Sequence, residues 1–78
     1  MSHELGTVPL PTAGQLRELE TQIGIRLKGR ILNFQLSLRD GGMVLEGRAQ
    51  TYYAKQLAQH AVMEASDLPI SVNDIEVV

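Results

Sequence analysis

GGMVLEGRAQTYYAKQLAQHAVMEA, residues 41–65, decides how this chain folds. After the glycine pair, Met43, Leu45, Gly47 and Ala49 recur at every second position, the spacing of a strand with one buried face. From Thr51 the spacing changes. Ala54, Leu57, Ala58, Ala61, Val62 and Ala65 fall on one stripe of an α-helix, and Thr51 supplies the side-chain oxygen that caps its first turn. A period of two that becomes a period of 3.6 at Gln50-Thr51 predicts a strand handing over to a helix that packs on the same sheet.

Upstream of this unit, Leu32, Phe34, Leu36 and Leu38 alternate with Asn33, Gln35, Ser37 and Arg39, which predicts an earlier half-buried strand. Asp40, Gly41 and Gly42 join the two strands in a turn, since tight hairpins need residues that tolerate positive φ. In the second strand Met43, Leu45, Gly47 and Ala49 point inward, and Val44, Glu46 and Arg48 outward. Its inward residues shrink along the strand, so Gly47 marks either a close approach of the following helix or a β-bulge.

Leu16, Leu19, Ile23 and Leu27 form the apolar stripe of a first helix, and Thr12 with Gln15 makes a capping box at its start. Gly24 weakens that helix by up to about 1 kcal/mol relative to alanine. Lys28, Gly29 and Arg30 form its exit, with Gly29 as the left-handed cap. The second helix ends by Asp67 to Pro69, because proline disfavours helical geometry in the residue before it. Ile70 and Val72 then open a third strand whose apolar parity moves to Ile75 and Val77, which requires a bulge or a later strand start. The order is αββαβ, an α+β domain with a three-stranded sheet carrying two helices on one face. Residues 1–11, with Gly6, Pro9 and Pro11 and no periodicity, read as a flexible leader to a single domain at 12–78.

The chain has 78 residues and no cysteine, so its small core must hold without disulfides or thiolate metal sites. A net charge of −2 argues against nucleic acid as a partner. Charge is nevertheless unevenly placed. Arg26, Lys28, Arg30, Arg39, Arg48 and Lys55 face only Asp40 and Glu46 in the same interval. Solvated faces with salt bridges account for such a run; an anion-binding patch is the functional reading. No secretory signal or membrane-spanning stretch is legible, so the chain as written is expected in the cytoplasm.

Catalytic and metal chemistry find little support in the residues. His3 lies in the leader, and His60 stands on the second helix with no ligand-spaced partner. Ser2, Ser37, Ser66 and Ser71 have no nucleophile-elbow context, and no carboxylate pair stands out as acid and base. Gly41-Gly42 precedes a strand, so it lacks the helix start that cradles phosphate in nucleotide sites. The Gly-x-x-Gly loop of the KH nucleic-acid module is missing as well. The expectation is a non-enzymatic domain with no catalytic residue, cofactor or metal.

The glycine before an alternating strand, the inward Gly47, the Thr51-Tyr52 helix start with Lys55, and the closing Val72-Asn73, Ile75 and Val77 resemble the BON domain, a bacterial module of osmotically induced periplasmic and nodulation proteins. The likeness covers roughly residues 16–77. Members commonly carry a glycine-valine pair where this chain has Ser66 to Ile70, and most have a signal peptide or a second domain. The resemblance implies a non-enzymatic module that binds phospholipid surfaces or attaches larger assemblies to them, usually in the cell envelope. On that basis Lys28, Arg30, Arg39 and Arg48 are the candidate anion contacts, and Gly41, Gly42 and Gly47 are structural. The alternative is a protein-interaction or ring-building module that uses Tyr52, Met63 and Val44 as outward apolar groups.

Overall fold

A computed structural model describes residues 10–78. The leader expectation for residues 1–9 lies outside the described residues, while Leu10 and Pro11 carry no regular structure. Five elements follow: α1 (Ala13–Arg26), β1 (Ile31–Arg39), β2 (Gly42–Ala49), α2 (Tyr52–Ala65) and β3 (Ile70–Val77). The capping box at the start of α1 is complete. Gln15 N–H donates to Thr12 Oγ1 at 3.1 Å, and Thr12 N–H donates to Gln15 Oε1 at 2.9 Å. Leu27 ends the helix, and both Lys28 and Gly29 then take left-handed φ, at 54° and 76°.

β1 and β2 are antiparallel, joined by a two-residue turn in which Asp40 (φ 54°) and Gly41 (φ 78°) are both left-handed. Paired positive φ is the signature of a type I′ hairpin, whose twist matches its strands. Gly42 belongs to the strand and not to the turn. Its constraint is spatial, since a Cβ there would lie 2.9 Å from the Pro69 carbonyl oxygen and run into Ser71 Oγ at the start of β3. The sheet order is β1-β2-β3, with β3 parallel to β2 and α2 as the crossover between them.

Two bulges set which residues face the helices. In β1 the register jumps between Leu32, opposite Arg48, and Gln35, opposite Glu46, so Asn33 and Phe34 share the single partner Gly47. Asn33 takes φ 56° to make this possible. The expected alternation of β1 is therefore wrong at its start: Ile31 is buried, and Leu32, expected inward, is 59% exposed. Gly47 is crowded by β1 and not by the following helix. A Cβ at Gly47 would sit 2.7 Å from Ile31 Cγ2 and 2.9 Å from Leu32 O, and its φ is 148°. In β3 the register shifts between Ile70 and Val72, so the bulge falls at Ser71 and Ile75 turns to the core.

Ile23 of α1 and its C-terminal cap Leu27, Leu36, Met43, Leu45 and Ile75 of the sheet, and Ala54, Ala58, Ala61 and Val62 of α2 form the core between helices and sheet. The alanine stripe lets α2 lie close to the strands, because it places no long side chain between them. Val44, expected as an outward apolar group, is only 2% exposed. It occupies the central strand between Ser37 and Val72, where the rows on both sides screen it.

Side chains also occupy backbone donors that the ladders leave free. Leu36 N–H, on the unpaired side of β1, donates to Glu20 Oε2 of α1 at 2.8 Å. Asn73 Oδ1 accepts the Ile75 N–H at 3.2 Å, while Asn73 Nδ2 donates to the Lys55 carbonyl and Gln59 Oε1 of α2. Unpaired strand edges are templates for association, and filling their donors blunts them.

Candidate functional site

Two of the three junctions between a helix and a strand, α1–β1 and β2–α2, lie at one end of the sheet. The α1–β1 exit brings Lys28, Gly29 and Arg30 there, and the β2–α2 handover brings Arg48, Gln50 and Thr51, because Ile31 and Ala49 are register partners. β3 finishes at the same end: Val77 pairs with Ala49, and Val78 N–H donates to the Ala49 carbonyl at 2.9 Å. Three of the four candidate bases therefore cluster. Arg39 does not, because it lies at the hairpin, the length of β1 away, roughly 25 Å at strand spacing.

Arg30 and Arg48 line a cleft of about 380 Å³, together with Leu32, Thr51, Tyr53 and Val78. Among the described residues, no acidic side chain lines it. A larger concavity of about 460 Å³ near Leu10, Leu19 and Met43 has the opposite character, since its charged lining residues are Glu18 and Asp67. The difference in charge outweighs the difference in size as a guide to anion binding.

Each base meets a different local field. Arg48 lies on the face away from the helices beside Glu76, with Nε 3.6 Å from Oε1 and both side chains largely exposed. Exposed pairs of this kind contribute about 0–1 kcal/mol, so Arg48 is loosely held. Lys28 and Arg30 make no ion pair among the described residues. Lys28 sits by the carbonyl end of α1, whose partial negative charge offsets part of its own, whereas the cleft adjoins the partially positive start of α2. At that start Thr51 Oγ1 accepts the Ala54 N–H at 3.0 Å.

Apolar groups rise around the same end. Tyr52 and Tyr53 are 64% and 67% exposed, and Leu32 joins them through the β1 bulge. Sequence reasoning missed Leu32 and Tyr53 as members of this site. The alternation of Leu32, Phe34, Leu36 and Leu38 puts Leu32 inward, and nothing in the sequence singles out Tyr53 on the second helix.

On the other side of the helix layer, Arg26 Nη2 donates to Glu64 Oε1 at 2.6 Å and ties α1 to α2. This hydrogen bond, then the Arg26 charge, holds the Glu64 carboxyl below the usual glutamate range, with a smaller contribution from His60. His60 itself is exposed. Among the described residues, no group of three or more His, Cys, Asp or Glu side chains is arranged to hold a metal ion, and no helix is long and apolar enough to cross a membrane. Comparison with known proteins finds no matching family model, no matching curated protein and no matching solved structure.

Proposed function

We propose that this domain is a non-enzymatic, BON-like module that binds anionic phospholipid surfaces through the end formed by Lys28, Arg30 and Arg48. The observation that carries the reading is that Arg30, Arg48, Leu32 and Tyr53 line one cleft, with exposed Lys28 and Tyr52 next to its lining residues in the chain. Peripheral binding needs those two ingredients together. Bases near a charged membrane contribute about 1 kcal/mol each, and amphipathic aromatic rings favour the headgroup layer. Three bases with about 1 kcal/mol from each partly buried Leu32, Tyr52 and Tyr53 give at most about 6 kcal/mol. That corresponds to roughly tens of micromolar accessible lipid. Arg39, at the far end of β1, has no part in this contact. Co-sedimentation with phosphatidylglycerol vesicles at low salt tests the reading: binding that weakens with salt supports it, and protein left in the supernatant refutes it.

A second reading, a protein-interaction or ring-building role, draws on the sheet face turned away from the helices. There Glu46 stands directly opposite Asp74, two like charges in register, with Glu76 farther along β3. Opposed like charges are destabilising, and a basic partner on this face would relieve them. Sedimentation equilibrium separates the readings, since a concentration-dependent oligomer indifferent to lipid favours the second.

A further inference from the structure

We infer that the cleft between the two arginines is a subsite for one amphiphilic phosphate ester, a phosphate group carrying an apolar stem. The inference rests on the lipid-surface reading and deepens it from a charged surface to a shaped pocket. Arg30 arrives from the α1–β1 exit and Arg48 from the penultimate position of β2, and both line the same cleft. Guanidinium groups present planar forks of N–H donors that match phosphate oxygens two at a time, and a phosphate ester has enough oxygens to engage both forks. No acidic side chain is among the described lining residues; the anionic groups beside the arginines are the α-carboxylate of Val78 in the 78-residue chain and Glu76, whose Oε1 lies 3.6 Å from Arg48 Nε, and the ligand phosphate competes with both.

The remainder of the wall selects for the stem. Leu32 and Val78 are apolar, and Tyr53 offers a ring face beside them. Leu32 reaches this wall only because the Asn33-Phe34 bulge turns it away from the core. A free inorganic phosphate would satisfy the arginines and leave these side chains in water. A stem attached to the phosphate would cover them, which adds affinity in proportion to the apolar area removed from water. A volume of about 380 Å³ lies at the small end of ligand pockets, which suits a headgroup with the first part of a chain and not a whole lipid.

The test is amide NMR on the full 78-residue chain, titrated separately with dihexanoyl phosphatidylglycerol below its micelle concentration, with inorganic phosphate, and with phosphatidylglycerol vesicles. The short-chain lipid should shift the amides of Gly29, Arg30, Gln50, Thr51 and Tyr53 together, and bind at least tenfold more tightly than phosphate. Arg30→Gln and Arg48→Gln should each weaken both ligands about fivefold. Leu32→Ser should weaken the lipid and leave phosphate unchanged. All three positions are exposed, and unchanged circular dichroism would confirm that the variants fold. Vesicle binding without cleft shifts from the monomeric lipid overturns the subsite and leaves the surface reading intact. Cleft shifts from the monomeric lipid without vesicle binding support the subsite and overturn the surface reading. Phosphate binding as tight as the lipid overturns the assignment of an apolar stem.

Discussion

Glycines that look equivalent in the sequence are held by different constraints, and their alanine variants should separate accordingly. Gly47 combines φ 148° with no room for a Cβ, so Gly47→Ala is expected to destabilise by about 2–3 kcal/mol in urea unfolding. Gly24 lies inside α1 with nothing within 4 Å of the place a Cβ would occupy. Gly24→Ala should therefore stabilise by about 0.5–1 kcal/mol, through helix propensity and a less flexible unfolded chain. Equal responses at the two positions would contradict the assignment of Gly47 to the bulge partner of Asn33 and Phe34. The Asp40-Gly41 turn was legible because positive φ and hairpin twist select a very small set of residues. The crowding at Gly42 was not, since it depends on where β3 lies, and a parallel partner on the far side of α2 leaves no local signal.

At the scale of elements, hydrophobic spacing was a good guide to where strands and helices lie and a poorer one to which way individual side chains face. The need for a bulge in β3 was legible in the odd spacing from Ile70 to Ile75, but the bulge falls at Ser71, before Val72, so Val72 pairs with outward-facing Val44 and does not share the inward face of Ile70. The bulge in β1 was hidden, because the alternation of Leu32, Phe34, Leu36 and Leu38 runs through it without a break. Val44 shows the complementary failure: it alternates outward correctly, yet burial follows from β2 being central, and strand order is absent from the pattern. The contacts between elements carry two predictions. Glu20→Ala removes the acceptor of the Leu36 N–H, so exchange at that amide should accelerate with a loss of about 1 kcal/mol, while Glu20→Gln keeps an acceptor and most of the protection. Unchanged exchange in Glu20→Ala would show that this carboxylate does not guard the edge of β1.

The Arg26–Glu64 contact gives the second. Because Arg26 lowers the Glu64 pKa in the folded state, its stabilising effect is present above the ordinary glutamate range and is lost as pH falls through the lowered value. A carboxyl-detected NMR titration should place Glu64 below other glutamates, and Arg26→Ala should bring it back up. Both side chains are largely exposed, so added salt should shrink the difference.

For the whole molecule, topology matters more than composition. A chain with net charge −2 offers no overall attraction to an anionic surface, but the fold collects Lys28, Arg30 and Arg48 at one end and leaves Arg39 and Asp40 at the hairpin. The bases were visible in the sequence; their division into three and one depends on β1 running the full length between them. The apolar contribution from Leu32 was invisible for the reason given by its bulge. The central claim is that this end binds anionic lipid, and it predicts that Arg39→Gln binds as the unsubstituted chain does. Vesicle co-sedimentation at low salt, comparing the unsubstituted chain with the Arg30→Glu/Arg48→Glu double variant on phosphatidylglycerol and phosphatidylcholine, tests it most directly. The account predicts binding to phosphatidylglycerol alone, reduced at least tenfold in the double variant; equal binding by both proteins, or none by either, would contradict it.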